Sequence, residues 1–220
     1  MHTNQYKNTL RQLGLLTAFC VLMQAVRMYG SNSISFIFLP YNLFLAWLPL
    51  LFSLYMRRST KPMVMAMLFV LWLLFFPNAP YIITDLLHLK PRASFPHWYD
   101  TMLVYTFAFT GLLVGMLSAL IVYDKLKQYY SKTISRGIIM FSMLASGYGI
   151  FLGRFLRWNS WDAFFNPFSI LLDAVHRIAN PLTYPRTYGV TLVVGGLLCI
   201  TFLFFESMVN HDTTNTMERG

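Results

Sequence analysis

Six times along this chain, apolar residues run long enough to cross a hydrocarbon core of about 30 Å, which takes roughly 20 helical residues. The runs lie at about Leu13 to Met28, Ile34 to Met56, Met63 to Thr84, Thr101 to Tyr123, Gly137 to Gly153 and Tyr188 to Phe205. A helix satisfies its own backbone hydrogen bonds, as lipid requires. The expected fold class is therefore all-α: a polytopic membrane helix bundle of six transmembrane helices, forming one integral membrane domain over residues 1–220. Composition agrees, with 56% hydrophobic and 11% charged residues against about 25% charged in soluble domains. No small-residue cleavage site follows the first run, so it is expected to be retained as a span, with an uncleaved signal as the alternative.

The third run ends in FPNAPYIITDLLHL, Phe76 to Leu89, the stretch hardest to explain by packing alone. Pro77 and Pro80 remove two backbone donors and clash with the preceding turn, so the helix should kink or break there. Asn78 is placed to cap a restart, with Pro80 in its first turn. A restarted helix would put Asn78, Tyr81, Asp85 and His88 on one face. Polar side chains beside opened backbone at membrane depth line protein or water, not lipid.

Between the fifth and sixth runs, Pro167 to Ala179 is too short to cross and is bounded by Asn166-Pro167 and Asn180-Pro181. Phe168, Leu171, Leu172, Val175 and Ile178 form one face of a helix there; Asp173, His176 and Arg177 form another. An interfacial helix is the simplest account, and a re-entrant one the alternative. Gly111, Gly115 and Ala119, and likewise Ala145, Gly149 and Gly153, repeat every four residues, which lets helix backbones approach closely. Cys20 and Cys199 each sit inside an apolar run and are expected to pack as small hydrophobes.

The formal net charge of +9 does not point to nucleic acid, because the basic residues sit in loops where topology and lipid headgroups account for them. With the N-terminus inside, ten Lys and Arg fall on the cytoplasmic side and seven on the other. The tight clusters after the second and fourth runs are the short-loop charge that sets orientation. Both termini are thus expected in the cytoplasm, with the protein in a bacterial cytoplasmic membrane.

In that orientation Gln24 and Arg27, Asn42, the Asn78–Tyr81–Asp85 stripe and Arg154 all arrive in the outer half of the bilayer. An outward-facing polar pocket is expected there, walled by Trp47, Trp72 and the aromatics near Tyr105 and Tyr188. GRFLRWNSWD, Gly153 to Asp162, adds two guanidiniums and two indoles: Arg154, Arg157, Trp158 and Trp161 would share a helical face. Planar bidentate donors beside amphipathic rings suit a phosphate or carboxylate headgroup. The expected binding residues are Arg154, Arg157, Asn78, Asn42, Trp158, Asn159, Trp161, Asp162 and Arg27. Asp85, with Tyr81 or His88, is the candidate acid/base or orienting group. A structural account competes at each of these positions: Trp and Arg commonly anchor membrane boundaries, and Asp85 can serve as an ion-pair partner or a cap. Asp85 and His88, with distant His97 or His176, have unspecific spacing for metal, and no metal site is expected. No GxSxG, HExxH, GxxxxGK[ST] or CxxC motif occurs, and no cofactor is indicated.

Three segments, YNLFLAWLP (Tyr41 to Pro49), FPNAPYIITDLLHL and GRFLRWNSWD, make the chain resemble domain of unknown function family 1361, small bacterial multi-spanning proteins. The family's similar segments run W-N-L-x-L-A-W-x-P, P-N-x-P-Y-x-x-T-D-L and R-x-x-R-W-N-S-W-D, with Tyr41 here in place of Trp. The likeness extends over nearly the whole length. It implies a multi-spanning fold and assigns no activity. The leading functional expectation, drawn from the residues, is binding or processing of an anionic lipid-like amphiphile at the outer leaflet, in contact with membrane lipids. The alternatives are a small transporter and a noncatalytic subunit that docks a membrane protein partner.

Overall fold

The computed structural model describes residues 3–89, 95–158 and 165–217. Helix α1 runs Thr3–Ser31, α2 Phe38–Arg58, α3 Pro62–Phe75 and α4 Asn78–Tyr81, continuing as a 3-10 helix over Ile82–His88. Then follow α5 (His97–Leu126), α6 (Lys132–Phe155), α7 (Pro167–Ala179) and α8 (Pro185–Met217). Six helical segments are long and apolar enough to cross a membrane: Tyr6–Ser31, Phe38–Arg58, Pro62–Leu86, His97–Leu126, Lys132–Phe155 and Pro185–Val209. The protein is an all-α polytopic membrane bundle. Several helices outrun the apolar stretches that mark them.

The fourth crossing organises the bundle. In α5, 72% of the apolar window is buried, against 39% or less in every other crossing, so α5 is the element the others surround. It packs against α1, α2, the end of the third crossing and α8. Helix α6 packs chiefly on α8. Met56, Trp72, Phe76, Met116, Tyr123, Ile139, Met143, Leu198 and Phe202 form one buried cluster joining the α6–α8 pair to the rest. A second weld lies at the same end. There Glu206 of α8, 3% exposed, accepts hydrogen bonds from Tyr123 at 2.6 Å and from Arg136 at 2.8 and 3.0 Å. At the other end α6 meets the third crossing, where Arg154 pairs with Asp85.

The α-helix is interrupted at the prolines, α3 stopping at Phe75 and α4 starting at Asn78, and the backbone between them tightens without leaving the helical region. Phe76, Pro77, Tyr81 and Ile82 all keep right-handed helical dihedrals. Pro80 has no N–H to give the Phe76 carbonyl, so Ala79 donates to it instead at 3.0 Å. That shift leaves the Phe75 carbonyl needing a donor. Asn78 supplies one through its side-chain amide at 3.0 Å. Asn78 is therefore not the N-cap the sequence suggested: it donates backward across the proline rather than accepting from a new first turn. The 3-10 stretch that follows is the tight form a helix end adopts in short pieces.

The glycine stripes grip this proline segment from both sides. A Cβ at Gly111 would stand 2.6 Å from the Ala79 carbonyl oxygen, and one at Gly115 2.8 Å from the Ala79 methyl. Across from them, a Cβ at Gly149 would meet Pro77 at 2.8 Å and one at Gly153 the Tyr81 ring at 3.2 Å. Gly147 makes an equally close backbone crossing, since its Cβ would lie 2.6 Å from the Thr191 oxygen and 2.8 Å from the Gly195 nitrogen. Backbone cannot give way as a side-chain tip can. Gly147→Ala should therefore lower the thermal unfolding temperature in detergent, since overpacking costs about 1–3 kcal/mol. Gly137→Ala, which meets nothing within 4 Å, should hold or raise it by relieving the helix penalty of glycine, about 0.5–1 kcal/mol. Equal shifts for the two variants would mean that α6 and α8 are not in backbone contact.

Candidate functional site

Beside the contact of α6 with the third crossing, a cavity of about 550 Å³ opens between these two elements and α2. One wall is Phe36, Phe38, Tyr41, Asn42 and Leu45, at and just before the start of α2; another is Leu74, Pro77, Asn78, Tyr81 and Asp85. The third is Gly149, Leu152, Gly153, Arg154 and Trp158 from the end of α6, with Ile170 contributed by α7. Each wall follows from local sequence. Proline tightening keeps Asn78, Tyr81 and Asp85 turned toward α6, and the small residues of α6 let that helix approach closely enough for Arg154 to reach across.

One ion pair bridges the cavity. Arg154 Nη1 lies 2.9 Å from Asp85 Oδ1, with side chains 12% and 7% exposed. Its Nη2 donates to the Thr84 carbonyl at 2.6 Å, and the guanidinium carbon stands 5.7 Å from the Tyr81 ring centroid. On the far side, Asn42 Nδ2 reaches Asp85 Oδ2 at 3.5 Å. Crossings two, three and five thus meet through three polar side chains. Removing either partner of so buried a pair leaves a charge without compensation, the costly case in a low-dielectric site.

Other expected members lie elsewhere. Arg27 does not reach the cavity. It is fully buried in a pair with Asp100, Nε to Oδ1 at 3.1 Å and Nη2 to Oδ2 at 3.4 Å. The Phe36 and Phe95 rings cover it at 5.0 and 5.8 Å. Gln24 turns to the Ser35 carbonyl at 3.0 Å. Arg157 also departs, because α6 ends at Phe155 and Arg157 takes a left-handed φ of 61°, costly for a residue with a Cβ. The Trp158 N–H then folds back to the Leu152 carbonyl at 3.2 Å. The outcome is an exposed Arg157 and a Trp158 carried into the cavity wall, in place of the shared helical face.

The expected aromatic walls differ too. Trp72 is core, its indole N–H donating to Ser118 at 3.0 Å. Trp47 faces α1 and donates to Thr17 at 3.2 Å. Tyr105 is exposed and stacks on Phe109, and the Tyr188 hydroxyl donates to the Arg177 carbonyl. Phe36, Phe38 and Tyr41 take their place. The candidates Asn159, Trp161 and Asp162, and the side chain of His88, lie outside the described residues. Among the described residues, no group of three or more His, Cys, Asp and Glu is arranged to hold a metal.

A family model described as protein of unknown function (DUF1361) matches residues 41–202. This chain belongs to the DUF1361 family. The match takes in most of the cavity walls, from Tyr41 and Asn42 through Asp85 and Arg154 to Ile170. No curated protein and no solved structure matches the chain. For this DUF1361 member, two carboxylates that hold the bundle together went unnoticed in the sequence, Asp100 and Glu206. Glu206 had a visible signal, since it interrupts the apolar run LLCITFLFFESM and an ionisable residue inside a span needs a partner. Asp100 had only its place in the first turn of α5.

Helix α7 flanks the cavity. Its Phe168, Leu171, Leu172 and Val175 are all exposed. Its polar side is tied down: Arg177 pairs with Asp173 at 2.7 Å and lies 4.6 Å from the Tyr184 ring and 5.4 Å from that of Phe151. The hydrogen bond to Asp173 favours the charged guanidinium and raises the Arg177 pKa.

Proposed function

We propose that this protein binds the polar headgroup of a lipid-like amphiphile in the cavity between α2, the third crossing and α6. Arg154 would act as the principal headgroup contact, and Asn42, Asn78, Tyr81, Asp85 and Trp158 would line its seat. One observation carries this reading: a buried charge pair, with two asparagine amides near it, bridges the walls of a cleft whose other lining residues are apolar or aromatic. Such a lining, few polar groups set among hydrophobic ones, is typical of small-molecule sites. The exposed apolar face of α7 supports the amphiphile half, since a helix of this kind lies in the headgroup region with its apolar side toward acyl chains. The short-loop basic clusters support an orientation with both termini cytoplasmic and the cavity toward the outer leaflet. We assign binding rather than a reaction, because Asp85 is engaged by both Arg154 and Asn42.

Lipids that copurify with the protein, extracted and identified by mass spectrometry, test this. The wild type should be enriched in one headgroup class. Arg154→Ala should lower that enrichment at least about tenfold, corresponding to roughly 1.4 kcal/mol. Ile170→Trp, which fills the cavity and leaves the ion pair intact, should do the same. An identical lipid profile in wild type and Ile170→Trp would overturn the reading even if Arg154→Ala fails to fold.

A further inference from the structure

We infer that the cavity selects a headgroup carrying both charges, a phosphate and an ammonium on one molecule, over a headgroup that is only anionic. The inference rests on the amphiphile-binding reading and adds the charge class of the ligand. Among the described lining residues the formal charges are Arg154 and Asp85, one of each sign, 2.9 Å apart. A phosphate brought against Arg154 is necessarily close to Asp85. At similar distances from the two charges, attraction and repulsion are of similar size and largely cancel. A bare anion therefore gains little here, despite the arginine. A zwitterion gains from both members of the pair.

The walls suit its two ends. The amides of Asn42, beside Asp85, and of Asn78 also line the cavity, and an amide N–H is the kind of donor that phosphate oxygens accept from. The lining also holds the rings of Phe36, Phe38, Tyr41, Tyr81 and Trp158, and aromatic faces attract an ammonium, whether primary or quaternary. Tyr81 already has a cation beside it, the Arg154 guanidinium at 5.7 Å. The second buried pair at this end competes for nothing, because Arg27 and Asp100 have no exposed side-chain surface.

The test is lipid selection by the purified full-length protein in nanodiscs of equal phosphatidylethanolamine, phosphatidylcholine and phosphatidylglycerol, read by native mass spectrometry after the disc is dissociated. One of the two zwitterions should be retained about fivefold or more over phosphatidylglycerol. Which of them is retained separates the N–H ammonium from the quaternary one. Asp85→Asn removes the negative member, so the preference should swing toward phosphatidylglycerol. If that variant does not fold, competition on the wild type by phosphoethanolamine and phosphocholine against glycerol phosphate gives the same comparison. Retention of phosphatidylglycerol over both zwitterions by the wild type would overturn this inference while leaving the amphiphile site standing. Retention in proportion to disc composition would sink both.

Discussion

Arg27→Met is expected to lower the thermal unfolding temperature by about 10 °C, the largest single effect at the cavity end of the bundle. Both members of the pair are fully buried, and removing one partner from a buried pair typically costs about 3–5 kcal/mol. For a chain of this size each kcal/mol corresponds to roughly 2–4 °C. Met replaces the aliphatic part of Arg27 between Phe36 and Phe95, so the loss isolates the charge left on Asp100. The companion Asp100→Leu should be similarly harmful, and the double variant should recover most of the loss. Two apolar groups in place of a buried pair are often neutral or stabilising. A double variant no better than the worse single one would show that the pair is not an isolated charge couple, and would point to the Ser31 hydroxyl, 3.2 Å from Arg27 Nη1, as part of a larger network.

The Asp85–Arg154 pair should respond in the same direction but by less, about half as much for Arg154→Met. Its members keep 12% and 7% side-chain exposure and face a cavity, so the orphaned carboxylate retains some hydration. A double-mutant cycle between Asp85 and Arg154, read as thermal stability in detergent, should return a coupling of at least about 1 kcal/mol. The partly exposed Lys127–Asp124 pair, 2.9 Å apart and three residues along the chain at the end of α5, is the control and should couple by about 0.5 kcal/mol or less. Comparable couplings at the two sites would mean that Asp85 is fully hydrated, and the cavity would then lack the low dielectric that gives its charge pair leverage over a ligand.

Phe36 connects the two pairs. Its ring covers Arg27 on one side and lines the cavity on the other, and its backbone holds a left-handed φ of 65°. A bulky residue there is an outlier. Strain of this kind is kept where the surrounding structure over-determines it. Here the ring seals one charge pair from the cleft that exposes the other.

How much was legible in advance can be read from particular residues. Asn42, Asn78, Tyr81, Asp85, Arg154 and Trp158 each stood out as polar or amphipathic groups where apolar ones were expected, and all six line one cavity. Arg27 stood out for the same reason and lies elsewhere, because improbability in a sequence marks a need for a partner without saying which one. With eight acidic residues for seventeen basic ones, the choice of partner was open until the helices were in register. Arg157 failed differently: helical spacing was assumed beyond Phe155, and a single left-handed residue reversed its direction.

The sequence by itself determined the membrane bundle, its crossings and the weak point at the two prolines, since these depend on apolar length and on backbone donors that proline lacks. Tertiary structure alone decided which carboxylate each arginine meets. It also decided that glycines on α5 and α6 clasp the proline segment, and that α6 packs chiefly on α8. Those outcomes depend on distances between helices far apart in the chain, set by packing that no local pattern records.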